Sequence, residues 1–320
     1  MTPDSRISVV VPVYNEASVL QAFQQRLVAV LDECGHPYDI LYVDDGSDVE
    51  CRCSLQALRD AHPAVGLLQL SRNFGKEVAV SAGLEQVTGD AVIVIDADLQ
   101  DPPELIPEFL RHWHSGYDVV YGQRSSRHGD STLKRWSAAA FYRVLNAVSE
   151  VNIPPDVGDF RLLSRRAVEA INALPERHRY MKGLYAWIGF PQVGVPYARA
   201  SRASGESKWS YWRLWNFALE GITSFSDAPL RIATYLGLAV STMAFLYGLV
   251  MIVRTLIWGN PVPGYPSLMV VILFLGGVQL VCLGIIGEYL SRTYHESKGR
   301  ALYFTSAYHP PRKLADADDD

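Results

Sequence analysis

The first two thirds of the chain alternate short apolar runs with stretches that read as helix. Ile7 to Val13 is a β-branched run that includes Pro12, and Ala17 to Cys34 follows it as a helical segment. Ile40 to Val43, Val65 to Leu70 and Ala91 to Ile95 are further apolar runs, and Val119, Val120 and Tyr121 make a fifth. Strands alternating with helices predict an α/β domain built on a mostly parallel sheet. Such sheets bind ligands beyond the carboxyl ends of their strands. Polar clusters stand at those ends here: Tyr14-Asn15-Glu16, Asp44-Asp45-Gly46, Ser71 to Gly75, and Asp96.

The pattern changes after Lys208. Trp209 to Leu230 mixes Trp209, Tyr211, Trp212, Trp215, Phe217 and Phe225 with Arg213, Glu220 and Asp227. That mixture predicts an amphipathic helical segment in the membrane interface, where Trp and Tyr are favoured. Two uncharged runs follow, Ile232 to Val253 and Ser267 to Ile286. Each has about the 20 residues needed to cross a hydrocarbon core. The chain therefore divides into an α/β domain at 1–208, an interfacial segment at 209–230, spans at 231–257 and 266–290, and a tail at 291–320. Arg231 precedes the first span, Arg292, Lys298 and Arg300 follow the second, and Trp258 to Pro266 is uncharged. By the positive-inside rule both ends are cytoplasmic; Arg254, near the outer end of the first span, snorkels to the interface. The first strand begins within ten residues of Met1 with no signal-like segment before it, so the large domain is expected to stay in the cytoplasm. The expected location is a multi-pass protein of the inner (plasma) membrane.

Composition narrows the partners. Of 320 residues 49% are hydrophobic, and the net charge is −5, partly from Asp316, Asp318, Asp319 and Asp320. No basic stripe is present, which argues against nucleic acid. Cys34, Cys51, Cys53 and Cys282 include a lone C-x-C without a second pair, so they read as reduced thiols rather than a zinc site.

The strongest chemical signal is Asp96-Ala97-Asp98-Leu99-Gln100-Asp101-Pro102-Pro103. Two carboxylates one residue apart at a buried strand end are costly unless a cation binds them. Mg2+ or Mn2+ bridging a diphosphate is the natural partner, because hard cations take carboxylate and phosphate oxygens together. Taken with Val11-Pro12-Val13-Tyr14-Asn15-Glu16 and Asp44-Asp45-Gly46-Ser47, the pattern resembles family 2 glycosyltransferases of the GT-A fold. Ser71 to Lys76, Gly158-Asp159-Phe160-Arg161, Gly205-Glu206-Ser207-Lys208 and Gly287-Glu288-Tyr289-Leu290 extend the resemblance over about residues 6 to 305. They point to the polyprenyl-phosphate glycosyltransferase branch, which includes dolichol-phosphate mannose synthases and bactoprenol glucosyltransferases.

The resemblance implies roles residue by residue. Pro12, Tyr14 and Glu16 line the nucleoside pocket, Asp45 with Asp44 accepts hydrogen bonds from base or ribose, and Arg72 joins the nucleotide-binding set. Asp96 and Asp98, with Gln100, hold the metal. Arg124, Arg135 and Lys208 clamp the phosphate of the lipid acceptor. Asp159 either orients acceptor or sugar, or pairs with Arg161. The implied reaction is inverting transfer of a sugar, glucose from UDP-glucose foremost, to undecaprenyl phosphate. Another donor (UDP-GlcNAc, a modified arabinose nucleotide or GDP-mannose) is the alternative. A processive polysaccharide synthase would bring more spans and a Q-x-x-R-W segment, and the chain has neither. A non-catalytic membrane scaffold is disfavoured by the intact acidic pair. Gly276, Gly277 and Gly284 in the second span allow close helix packing and a homo-oligomer.

Overall fold

The computed structural model describes residues 5–124, 157–177, 179–197, 228–258 and 264–312. Arg135, Lys208, nearly all of the expected interfacial segment and the acidic tail lie outside the described residues.

The chain falls into two units. The first is an α/β domain. In order it contains β1 (Ile7–Val13), α1 (Ala17–Cys34), β2 (Tyr38–Asp44), α2 (Val49–Ala61), β3 (Val65–Leu70), α3 (Lys76–Gln86), β4 (Ala91–Val94) and α4 (Ile106–His114). It continues with β5 (Val119–Arg124), β6 (Val157–Ser164), α5 (Arg165–Ala173), α6 (Met181–Trp187), β7 (Gln192–Tyr197) and finally β8 (Thr305–His309). One eight-stranded sheet runs β7-β5-β6-β4-β1-β2-β3-β8. Strands β3, β2, β1 and β4 are mutually parallel, whereas β6 and β8 run antiparallel to their neighbours.

The central strands owe their places to composition. All seven residues of β1 are buried, as expected of a strand with helices on both faces. Leu20, Phe23, Leu27 and Leu31 of α1 cover one face together with Phe109 and Trp113 of α4. Phe109 meets Phe160 of β6 at a ring separation of 4.7 Å. On α3 the sheet contact is tight enough that a Cβ at Gly83 would lie 2.4 Å from Val10 Cγ1. Each buried side chain of this size stabilises the fold by about 1.5–3 kcal/mol.

The C-terminal segment departs from the expected tail. After the helices of the second unit, the chain returns to add β8 along the edge of β3. Ser71 N–H donates to Phe304 O at 2.8 Å, Tyr303 Oη donates to Glu85 Oε2 at 2.6 Å, and Arg312 N–H donates to Pro63 O at 2.8 Å. A Cβ at Gly66 would strike Pro311 at 2.7 Å, so the segment lies directly on the strand. It closes an edge that would otherwise expose unpaired backbone groups.

The second unit holds two long helices, α7 (Ala228–Trp258) and α8 (Tyr265–Ser297), which pack on each other. Leu230–Trp258 and Leu268–Ser297 are long and apolar enough to cross a membrane, and none of the apolar stretch is buried inside the protein. Side chains such as Phe245, Leu246, Leu273 and Leu280 face outward. Outward apolar side chains along about 20 or more residues require lipid or another apolar partner. Both helices extend beyond the expected span limits, α8 by a further seven residues to Ser297.

Candidate active site

The ends of β1, β2 and β4 and the start of α3 enclose a cleft of about 260 Å3 walled by Pro12, Tyr14, Glu16, Asp45, Lys76, Asp96 and Asp98, among others. Its floor is built by loops that tie one another down. Asn15 takes a left-handed backbone (φ 55°), its N–H donating to Ser47 Oγ at 3.1 Å while its Oδ1 accepts from Asp48 N–H at 2.8 Å. Asn tolerates that conformation better than most side chains. Asp44 is buried, with Oδ1 accepting from Ser47 N–H at 2.8 Å. Asp45 reaches across to the next loop, its two oxygens accepting from Phe74 N–H at 2.7 Å and Gly75 N–H at 2.9 Å. Gly46 (φ 73°) makes this possible, because a Cβ there would sit 2.5 Å from the backbone of Arg72 and Asn73.

Of the residues expected to bind nucleotide, Pro12, Tyr14, Glu16 and Asp45 face the cleft. Asp44 and Arg72 do not line it. Arg72 is exposed, stacked 4.0 Å over Phe74 and donating to Asn73 O at 2.9 Å. Its neighbours Asn73 and Gly75 take the wall positions instead.

Asp96 and Asp98 both line the cleft, separated by buried Ala97. The following Leu99 has a left-handed backbone (φ 60°), a strained conformation for a large side chain that often marks functional turns. Gln100 is only 4% exposed and is not part of the cleft wall; its N–H donates to Asp98 Oδ1 at 3.0 Å. It supports the acidic turn through its backbone. Two carboxylates on a polar wall offer the hard oxygen donors that Mg2+ or Mn2+ requires, so the donor set fits a divalent ion shared with a phosphate ligand.

A group absent from the expected site completes it. Lys76, the first residue of α3, places Nζ 2.6 Å from Asp96 Oδ2 and also in contact with Asp159 Oδ2. Asp159 comes from β6, so the lysine joins two distant strand ends. Burial opposes the lysine's charge, but Asp96 and Asp159 outweigh it and raise its pKa. Burial would raise Asp159 as well; Lys76, then Lys182 and Arg161, overcome that and hold its carboxyl below the usual range. Asp96 stays above its ordinary value because burial exceeds the help from Lys76.

The alternative for Asp159, a side-chain pairing with Arg161, is not what the fold makes. Arg161, 2% exposed, donates instead to Gly158 O at 2.8 Å and to the Asp159 backbone O at 3.4 Å, and stacks 3.6 Å over Tyr185. The two share a face of β6, but the guanidinium turns to Gly158 O and the Tyr185 ring while the Asp159 carboxylate turns to Lys76. Asp159 Oδ1 and Arg124 Nε are both buried without a hydrogen-bond partner among the described residues. Arg124 bonds Tyr197, whose hydroxyl donates to Asp101. The sequence contained Lys76 inside the Ser71 to Lys76 segment, yet a lysine opening a helix carries no signal of its partners. Glu77 and Lys182, which border the same cluster, gave no signal at all.

The model of the family described as Glycosyl transferase family 2 matches residues 8–171, and that of the GtrB C-terminal hairpin matches residues 228–293. An uncharacterized glycosyltransferase of Synechocystis sp. is 50% identical over 300 residues, 94% of each chain. A bactoprenol glucosyl transferase of Shigella phage SfV is 49% identical, covering 93% of this chain and 97% of its own. A solved glucosyl-3-phosphoglycerate synthase of Mycobacterium tuberculosis, in complex with Mn2+, UDP-glucose and phosphoglyceric acid, has a TM-score of 0.47 at 20% identity, covering 68% of this chain and 78% of its own.

Proposed function

The chain belongs to glycosyl transferase family 2, and from that premise we propose that it transfers glucose from UDP-glucose to the phosphate of a polyprenyl lipid, undecaprenyl phosphate, at the cytoplasmic face of the plasma membrane. One observation carries the reading: an Asp96/Asp98 cleft at the strand ends stands in the same chain as an apolar helical hairpin of spanning length. Relatives named for bactoprenol glucosyl transfer, similar over nearly the full length, support the acceptor and the sugar.

In this reading Pro12, Tyr14 and Glu16 receive the nucleoside, with Asp45 fixing the loop that faces it. Asp96 and Asp98 would hold Mg2+ or Mn2+, which when bound would supply counter-charge to the departing diphosphate. An acceptor phosphate is already anionic near neutral pH, its second pKa being about 6. It needs orientation more than deprotonation, and guanidinium groups bind phosphate bidentately. Arg124, half-buried beside Gly158, fits that task, with Arg135 and Lys208 completing the clamp. Asp159 orients the reacting groups through Lys76. An acceptor oxygen forms the new bond to the anomeric carbon as the bond to UDP breaks, so configuration inverts. That β8 joins the same sheet as β1 supports a two-span hairpin whose ends lie on one side of the membrane. Both ends of the hairpin then face the cytoplasm, where the nucleotide sugar is.

The test uses the purified full chain, polyprenyl phosphate and radiolabelled donors. UDP-glucose is expected to yield an organic-extractable glucosyl lipid only with a divalent ion, and Asp98→Ala is expected to abolish the product while the protein still folds and inserts. Label from UDP-GlcNAc or GDP-mannose in place of glucose would reassign the donor. No lipid product from any of them overturns the reaction.

A further inference from the structure

Asp96 has two claimants. The donor-site reading needs its carboxylate for a divalent ion, yet Lys76 Nζ already lies 2.6 Å from Asp96 Oδ2 and touches Asp159 as well. An ammonium and a metal ion cannot share that oxygen without strong mutual repulsion. The lysine is built to move. Its backbone is anchored, because the preceding Gly75 N–H is held by Asp45 at 2.9 Å. Its side chain is 42% exposed and lines the cleft. A flexible four-carbon stem lets an ammonium change partners without moving the main chain. A diphosphate bound beside Asp96 and Asp98 would present a new anion within reach of the ammonium.

Resting on the donor-site reading above, we infer that Lys76 is a place-holding cation: it occupies Asp96 in the nucleotide-free protein and yields it to the divalent ion when a nucleotide diphosphate arrives to take the ammonium. Metal and nucleotide binding are thereby coupled through one side chain. The lysine neutralises Asp96 and Asp159 while the cleft is empty, and it discourages the metal from settling there alone. Lys76 acts as a positioning residue rather than a reacting one. A purely structural ion pair would make no such distinction between metal with and without nucleotide.

The experiment reads Mn2+ binding by the loss of the free-ion electron paramagnetic resonance signal, with the full-length protein in detergent and no turnover. Without nucleotide, Lys76→Met is expected to bind Mn2+ about tenfold or more tightly than wild type, within the range of ordinary site-to-site coupling. With saturating UDP the advantage is expected to vanish, because the wild-type ammonium has then left Asp96. Lys76→Arg, whose fork can engage both carboxylates, is expected to bind Mn2+ alone more weakly than wild type. Equal or weaker Mn2+ binding by the Met variant without UDP overturns the inference. Should that variant not fold, the Arg variant decides: Mn2+ affinity equal to or above wild type overturns it. The lipid assay separates the two readings. Normal Mn2+ coupling without any glucosyl lipid sinks the proposed reaction alone, and lipid product with uncoupled Mn2+ binding sinks the place-holder alone. No Mn2+ uptake by any variant, with or without UDP, sinks the place-holder and the metal assignment together.

Discussion

Gly46→Ala isolates what holds the donor cleft in shape, and Gly35→Ala serves as its control. Both glycines have left-handed backbones, with φ of 73° and 69°. An alanine there costs about 1–2 kcal/mol from conformation alone. Gly35 caps α1, and nothing lies within 4 Å of a Cβ added to it, so its substitution should cost only that much. At Gly46 the added Cβ would stand 2.5 Å from Arg72 C and Asn73 N, which are backbone atoms that cannot rotate away. The loop must shift, and the nearest bonds at risk are those from Phe74 and Gly75 N–H to Asp45. Each bond to a charged acceptor contributes about 1.5–3 kcal/mol, so with one of the two lost on top of the conformational cost Gly46→Ala should cost roughly 2.5–5 kcal/mol. For a domain of this size the melting temperature falls by about 2–4 °C per kcal/mol. Thermal unfolding in detergent should therefore show a drop for Gly46→Ala at least twice that of the control. Calorimetry with UDP should show weakened binding only in the Gly46 variant, since Asn73, Gly75 and Lys76 follow the displaced segment. Equal melting temperatures for the two variants, or unchanged UDP affinity in Gly46→Ala, would refute the idea that contact between these loops shapes the cleft.

Two further outcomes are expected. Burial, and then the Asp159 carboxylate, pushes Glu77 up to about 7, above the ordinary value of about 4.3. Between those values the folded protein holds more protons than the unfolded chain, so stability falls as pH rises through that window. Glu77→Gln should flatten the fall, gaining on wild type in melting temperature from about pH 5 to pH 8; parallel curves would remove Glu77 as its cause. Topology is checked by labelling intact cells: a cysteine at Asn260, in the uncharged loop outside the described residues, should react with an impermeant thiol reagent, while one at Ser306 in β8 should not. The reverse pattern would place the donor cleft on the wrong side for a cytosolic nucleotide sugar.

What the sequence determined by itself is whatever depends on neighbours along the chain. Apolar runs marked β1, β3 and β4 to within a residue and the core of β2, and uncharged stretches of about 20 marked the two long apolar helices. The acidic pair at Asp96 and Asp98 pointed to a cation because two carboxylates one residue apart at a buried strand end are costly without one. What only the tertiary structure decided are the pairings between residues far apart in sequence. Lys76 and Asp159 are 83 positions apart, and no local pattern marks them as partners. Asp159 could be matched with its near neighbour Arg161 on paper, but the fold gives each a different partner, Lys76 for the carboxylate and Gly158 O with the Tyr185 ring for the guanidinium. The C-terminal segment reads as a tail because Thr305–His309 is short and half exposed. It becomes a strand because the edge of β3 offers unpaired N–H and C=O groups that only the folded sheet brings within reach.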